Sequence, residues 1–251
     1  MFGFFKKDKT DDLIEYTRDL GIVREKFTLT ERRFYHGKKR YHMRALECHA
    51  MPGTAEVGMM KLLKYMEKGG LGRKVLNLGG GVGQMSAVLT HLGFDVVNCD
   101  IEIKQDDERN FNFDFNSEKQ FPYNGGEFDF IFCQEVVEHI ENPWRLFRIA
   151  HAALKPGGML LVTTPNILLG FSRQMFGKKG YFQWFQPKNL FYHINPIPYW
   201  EIELIADKTG FNIVEMGGNS EFLLSMHGGA DKTEVLEYCE GLVFLMRKKI
   251  V

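Results

Sequence analysis

Val75-Leu76-Asn77-Leu78-Gly79-Gly80-Gly81-Val82-Gly83 is the stretch that decides the fold. Three apolar residues surround one polar residue, and the sequence then runs into glycine. This is how a buried strand enters a turn that a ligand approaches closely. Met85, Val88, Leu89 and Leu92 follow at helical spacing. Strand, glycine turn and helix together make a nucleotide-cradling unit, because backbone N–H groups at a helix start are open to a ligand.

Working outward, strand signals recur at Asp95–Cys99, Phe128–Cys133, Met159–Thr163, Phe211–Met216 and Leu242–Met246. Helical signals lie between them, at Met85–Leu92, Pro143–Leu154 and Tyr199–Thr209. Gly157-Gly158 and Gly210 read as helix stops before the next strand. Such alternation predicts a doubly wound α/β sheet, with ligand sites at the carboxyl ends of the strands. Residues 1–70 are more polar and read as an N-terminal helical cap, and 71–251 as the main domain. Within the cap, Arg32, Arg33, Lys38, Lys39, Arg40 and Arg44 interleave with Phe34, Tyr35 and Tyr41. That pattern suits a solvated face, or a surface that meets an anionic group.

The 251 residues carry 32 basic and 32 acidic side chains, so no net charge favours nucleic acid. The four cysteines, Cys48, Cys99, Cys133 and Cys239, form no Cys-x-x-Cys pair. Cys99 and Cys133 fall in apolar runs, as reduced core thiols do, and point to a cytoplasmic protein. No apolar run reaches membrane-spanning length. Met1-Phe2-Gly3-Phe4-Phe5 leaves a peripheral membrane contact open beside the plainer reading of a frayed terminus.

Two ligands compete for the glycine turn, a dinucleotide and S-adenosylmethionine. The dinucleotide spacing Gly-x-Gly-x-x-Gly/Ala fails, since Gln84 or Ser86 stands at its last position. The pattern here is Gly79, Gly81, Gly83. Asp100 ends the second strand, where an acid accepts ribose hydroxyls of either cofactor. Asp114 is a second acid, set between Phe113 and Phe115. A dinucleotide site has no general need of an acid there, whereas an S-adenosylmethionine site can use it for the adenine amino group, with the apolar neighbour over the ring.

On these residues, with Glu127-Phe128-Asp129-Phe130-Ile131 and Leu154-Lys155-Pro156-Gly157-Gly158, the stretch from Lys74 to Thr164 resembles the class I S-adenosylmethionine-dependent methyltransferases. The resemblance implies a Rossmann-like seven-stranded mixed sheet whose last strand is antiparallel, with helices on both faces. It implies a cofactor site of Asn77, Gly79, Gly81, Gly83, Asp100, Asp114, Phe115 and Gln134. Asn77 departs from the family's usual acid there, which removes a charge near the methionine end. It also implies in-line transfer of a methyl group from a sulfonium, with the protein aligning the nucleophile and excluding water.

Gln134-Glu135-Val136-Val137-Glu138-His139 follows the Phe128–Cys133 strand. If it makes a helical turn, Glu135, Glu138 and His139 share a face. Two carboxylates and an imidazole there suit a divalent cation or acid/base work. The Glu-x-x-Glu-His pattern is similar to that of the ubiquinone-biosynthesis O-methyltransferases. It is also similar to that of the small-RNA 2′-O-methyltransferases, whose magnesium site is completed by a later histidine, and His193 occupies a comparable place. Glu135, Glu138, His139 and His193 form the candidate set for magnesium, manganese, iron or zinc. Without metal, His139 or His193 is the candidate base, with Glu138 beside it. Many similar enzymes carry Glu-His here with no known metal.

Residues 166–200 read as a substrate-binding insertion. Phe176, Tyr181, Phe182, Trp184, Phe185, Phe191 and Tyr192 are interspersed with Arg173, Lys178, Lys179 and Lys188. Aromatic faces suit a sugar or an aromatic ring, and cations suit phosphate or carboxylate. A lid that only packs over the sheet, or one that faces a membrane, uses the same residues. The expectation is an O-methyltransferase for a hydroxylated small molecule, such as a sugar, sugar-nucleotide or glycan. A quinone-pathway phenol acceptor comes next, and RNA third. A nicotinamide oxidoreductase and a non-catalytic binding module are the readings from other classes. Oligomeric state is not legible.

Overall fold

The structure is a computed structural model, and it describes residues 29–36, 39–46, 54–67, 72–81, 83–219 and 231–250. Calls on the first 28 residues, on Cys48 and on Val82 lie outside this set.

The described part of the expected helical cap opens with strand instead. β1 (Leu29–His36) and β2 (Lys39–Leu46) pair antiparallel as a two-stranded sheet, with His36 opposite Lys39. Phe34, Tyr35 and Tyr41 favour extended backbone. That propensity outweighs the polar composition that suggested helix. The anion-binding reading of the basic residues here rests on side chains outside the described set. Next comes helix α1 (Thr54–Glu67). Its Val57, Met59 and Leu62 pack with Phe130, Phe132, Leu161 and Leu245 of the central sheet, so this helix is a layer of the main domain.

The central sheet has seven strands: β3 (Lys74–Leu78), β4 (Asp95–Asp100), β5 (Asn110–Asn112), β6 (Phe128–Gln134), β7 (Leu154–Pro165), β8 (Phe211–Gly218) and β9 (Gly241–Lys248). Their order is β5-β4-β3-β6-β7-β9-β8. The pairs from β5 to β7 are parallel, while β9 runs antiparallel to β7 and β8. The last strand is therefore the reversed one, as expected.

Side chains alternate between two buried faces, as the two-residue period of a strand requires. Val75, Phe130, Phe132, Met159, Val243 and Leu245 face α1 and helix α2 (Gln84–His91). Leu76, Ile131, Cys133, Leu160, Val162 and Phe244 face helices α3 (Pro143–Ala153), α5 (Tyr199–Lys208) and α6 (Lys232–Tyr238). Cys99, Cys133 and Cys239 are buried, and burial pushes the Cys99 and Cys133 thiols far up. Helix α4 (Gly170–Lys179) lies in the expected insertion.

α3 begins where Asn142 accepts from the Arg145 N–H at 3.1 Å, with Pro143 as its first residue. It ends at Ala153, four residues before Gly157, because Pro156 cannot continue a helix and disfavours it at the residue before. β7 then starts at Leu154 rather than Met159. Leu154 pairs with Phe128 and Met159 with Phe130, so residues 155–158 bulge from the ladder.

Candidate active site

The glycine turn leaves β3 at the carboxyl edge of the sheet, where β4 and β6 also end. Gly79 and Gly80 both donate to the Cys99 carbonyl, at 2.8 and 3.2 Å. Gly79, Gly81 and Gly83 have φ of 68°, 55° and 86°, the left-handed region that an L side chain resists. Gly80 is required by space instead: a Cβ there would lie 2.0 Å from Asn98 Oδ1 and 2.1 Å from Asn77 Nδ2. Among the described residues no side chain caps α2, which leaves its N-terminal N–H groups open to a ligand or solvent.

Beneath the turn, Asn77 Nδ2 donates to Ser86 Oγ at 3.0 Å and Ser86 Oγ donates to Asn98 Oδ1 at 3.1 Å. Asn98 Nδ2 donates to the Gly81 carbonyl at 3.2 Å. All three side chains are buried. Asn77 was expected here; Ser86 and Asn98 were not. Their signal in the sequence is faint, a polar residue inside Val96–Cys99 and one on the apolar side of α2.

Asp100 ends β4 and accepts from the Gly81 N–H and the Glu102 N–H, each at 2.8 Å. This fixes its carboxylate against the turn with further lone pairs available. The Phe113 N–H reaches the Asp100 carbonyl at 3.3 Å, which brings Asp114 and Phe115 to the same edge. Asp114 Oδ1 accepts from the Asn116 N–H at 2.8 Å, and Phe115 is buried. Gln134 ends β6 and donates to the Thr54 carbonyl at 2.8 Å, which ties α1 to the site. The expected cofactor residues thus gather at the ends of four adjacent strands, β5, β4, β3 and β6, and in the loops after them.

The acidic cluster follows β6, and Val136 lies against Gly79, where a Cβ would come within 2.4 Å of Val136 Cγ2. The helical turn expected for Glu135, Glu138 and His139 is not what forms. Glu135 has φ 55°, the one described non-glycine residue with positive φ, and only Val137–His139 make a short 3-10 turn. The two carboxyls consequently settle on different threonines of β7. Thr163 Oγ1 donates to Glu135 Oε1 at 2.8 Å, and Thr164 Oγ1 to Glu138 Oε2 at 3.3 Å. Burial pushes the Glu135 carboxyl up to about 7. Burial, and then the neighbouring Glu135 carboxyl, hold that of Glu138 well above the usual range.

Glu138 is 1% exposed and its Oε1 is buried with no hydrogen-bond partner. His139 Nε2 lies 3.8 Å from that oxygen, and His139 Nδ1 is 2.7 Å from the Tyr192 carbonyl. A carbonyl only accepts, so Nδ1 carries the proton and Nε2 is the free lone pair. The His193 ring meets that of His139 edge-on at 4.8 Å, and His193 Nδ1 is also buried without a partner. Burial, then the neighbouring His139, hold the His193 ring below its ordinary value, so it is neutral near pH 7. One ligand atom each from Glu138, His139 and His193 lies within 4.8 Å of the others; Glu135 stands outside that set. Two imidazoles and a carboxylate are a donor set for a divalent transition metal. The threonines and the Tyr192 carbonyl carry no sequence signal of their own.

The insertion is partly a packed layer and partly open. Phe185 is buried beside His193, and Phe176 stacks on Phe182 at 4.5 Å. Phe191 and Tyr192 are exposed next to the cluster. Arg173 pairs with Glu237. No helix among the described residues is long and apolar enough to cross a membrane.

A family model described as a methyltransferase domain matches residues 51–216. The ubiquinone biosynthesis O-methyltransferase of Pseudomonas aeruginosa is 30% identical over 111 residues, 40% of this chain and 48% of that protein. The mitochondrial enzyme of the same name from Rattus norvegicus is 33% identical over 138 residues, 45% of this chain and 39% of that protein. The chain thus spans less than half the length of these two curated relatives. An S-adenosylmethionine-dependent methyltransferase from Mesorhizobium loti superposes with a TM-score of 0.51 at 16% identity, over 75% of this chain and 96% of that one. One from Thermotoga maritima gives 0.51 at 17%, over 79% and 90%. At these identities the structures speak for the fold.

Proposed function

This chain belongs to the methyltransferase-domain family, as a class I S-adenosylmethionine-dependent enzyme, and on that footing we propose that it methylates a hydroxyl of a small molecule. The nicotinamide reading falls with that membership. The observation that carries the proposal is the cluster of Glu138, His139 and His193, which follows Val136 where it packs on Gly79, with buried polar atoms that have no hydrogen-bond partner among the described residues. A sulfonium is a good leaving group, so the enzyme's work lies in aligning the acceptor and removing its proton.

His139 is the base in this reading. Its Nε2 takes the hydroxyl proton while the Tyr192 carbonyl holds Nδ1–H and fixes the ring. Glu138 Oε1, 3.8 Å away, faces the imidazolium that results. Phe191 and Tyr192 offer faces on which a sugar or aromatic ring can stack. From Asn166 to Trp200 the chain has no acid, while Lys178, Lys179 and Lys188 are exposed, which suits a phosphate-bearing acceptor such as a sugar-nucleotide. A phenol of a quinone pathway is the second reading, favoured by the names of the partial-length relatives.

Glu138, His139 and His193 also fit a divalent ion, with manganese, iron or zinc better suited than magnesium to two imidazoles. Such an ion would lower the pKa of an acceptor hydroxyl held against it. Transfer of methyl to a panel of sugar-nucleotides and catechols, read by mass spectrometry, tests the acceptor class. The same assay after chelation, and with Glu138→Ala and His139→Ala, separates the two means of activation. Undiminished transfer after chelation removes the metal, and undiminished transfer by His139→Ala removes the base.

A further inference from the structure

We propose that Ser86 and Asn98 are positioning residues of the cofactor site, and that with Asn77 they form a one-directional hydrogen-bond relay requiring a donor at position 77. The direction is fixed at its far end. The group facing the Gly81 carbonyl must donate, so the Asn98 nitrogen points there and its oxygen points back to Ser86. The single Ser86 proton is committed to that oxygen, and Ser86 Oγ must then accept from position 77. The Asn77 amide does this. The relay holds the Gly81 carbonyl from below, while Asp100 holds the Gly81 N–H from the side at 2.8 Å. Gly80 rests on both asparagines. The turn that must meet the cofactor is thus shaped from below by three uncharged side chains and from the side by Asp100.

An ionised carboxylate at position 77 breaks the chain of donors. It can only accept, so the Ser86 hydroxyl turns toward it. Asn98 Oδ1, 1% exposed as a residue, then loses its donor, and the amide cannot rotate without losing Gly81. A protonated carboxyl restores the relay, because its O–H donates to Ser86 Oγ as the amide N–H does. In register, Asn77 is flanked by Asn98 of β4 and Phe132 of β6, and α2 sets Ser86 over it. The next titratable groups on these strands are Cys99 and Cys133, which pack on the opposite face, and Asp100, which faces Gly81.

The test is S-adenosylhomocysteine affinity of the full chain by calorimetry, for Asn77→Asp against the wild type across pH. At about pH 8 the variant should bind about tenfold more weakly or worse, and the gap should narrow as pH falls to about 6. A buried carboxyl also regains folding stability in acid, so each affinity is measured well below the variant's own unfolding midpoint at that pH. Asn98→Ala and Ser86→Ala should weaken binding at every pH, with kcat at saturating S-adenosylmethionine within about twofold of wild type. Asn77→Asp binding as tightly as wild type at about pH 8 would overturn the relay, as would a gap that widens in acid. If that variant does not fold, wild-type affinity in Asn98→Ala overturns it equally.

Discussion

The polar groups under the glycine turn hold one another throughout, whereas those at the ends of β6 and β7 do so only in part, through Thr163 and Thr164. Asn77, Ser86 and Asn98 form a continuous chain to the Gly81 carbonyl, and Asp100 takes the Gly81 N–H. At the other pole, Glu138 Oε1 and His193 Nδ1 are buried without partners, and in the adjoining insertion so are Trp184 Nε1 and Gln183 Oε1. Buried polar atoms rarely stay unpaired: ordered water, an ion, a ligand or catalysis uses them. The first half is finished before its ligand arrives, as suits a cofactor of constant shape. The second is held open, with two carboxyls displaced far from their ordinary ionisation, as suits chemistry.

The largest blow to this contrast should come from Gly80→Ala. A Cβ 2.0 Å from Asn98 Oδ1 meets a region with no slack, and S-adenosylhomocysteine affinity should fall on the order of a hundredfold. Calorimetry reads it, and near-normal binding would show that the finished half yields after all.

Glu138→Gln should act oppositely on the other half. Methyl transfer should drop about a hundredfold while cofactor affinity stays within about twofold. Stability should rise in the same variant. A carboxyl whose folded pKa is raised binds its proton more tightly in the folded state. Folding stability therefore declines as pH climbs from the ordinary value of 4.5 through about 7, where Glu135 titrates, and further where Glu138 does. The thermal midpoint of Glu138→Gln should exceed that of wild type at about pH 8 and converge with it near pH 5. A variant no more stable at pH 8 would mean the carboxyl is stabilised in its charged form. The smallest effect belongs to Phe191→Ala. The side chain is 83% exposed, so the unfolding midpoint should not move, while the acceptor KM rises about threefold to tenfold.

The sheet was largely legible because strands buried on both faces write continuous apolar runs, as Val75–Leu78 and Phe128–Cys133 do, and six of the seven strands were signalled. The exceptions have physical causes. The three-residue β5 is too short to carry a period. Residues 155–158 belong to β7 through a bulge that no apolar pattern announces. Residues 29–46 pair as strands although their charge suggested a solvated helix. In the site, the glycines and Asp100 could be named because left-handed backbone and a strand-end acid leave a fixed spacing. Thr163 and Thr164 could not, since ordinary β-propensity places threonine in a strand equally well.

The sequence by itself determined most of the order of strands and helices in the central sheet, the glycine turn after β3 and the presence of two acids and a histidine after β6. Apolar period and glycine spacing are local, so a linear chain displays them. Only the tertiary structure decided which carboxyl joins the histidines. The positive φ of Glu135 sends that side chain to Thr163, while Glu138 turns inward toward Thr164, His139 and His193. It alone also set Ser86 and Asn98 beneath Gly80, because hydrogen-bond direction depends on which groups meet across three separate elements, and no spacing along one chain records that.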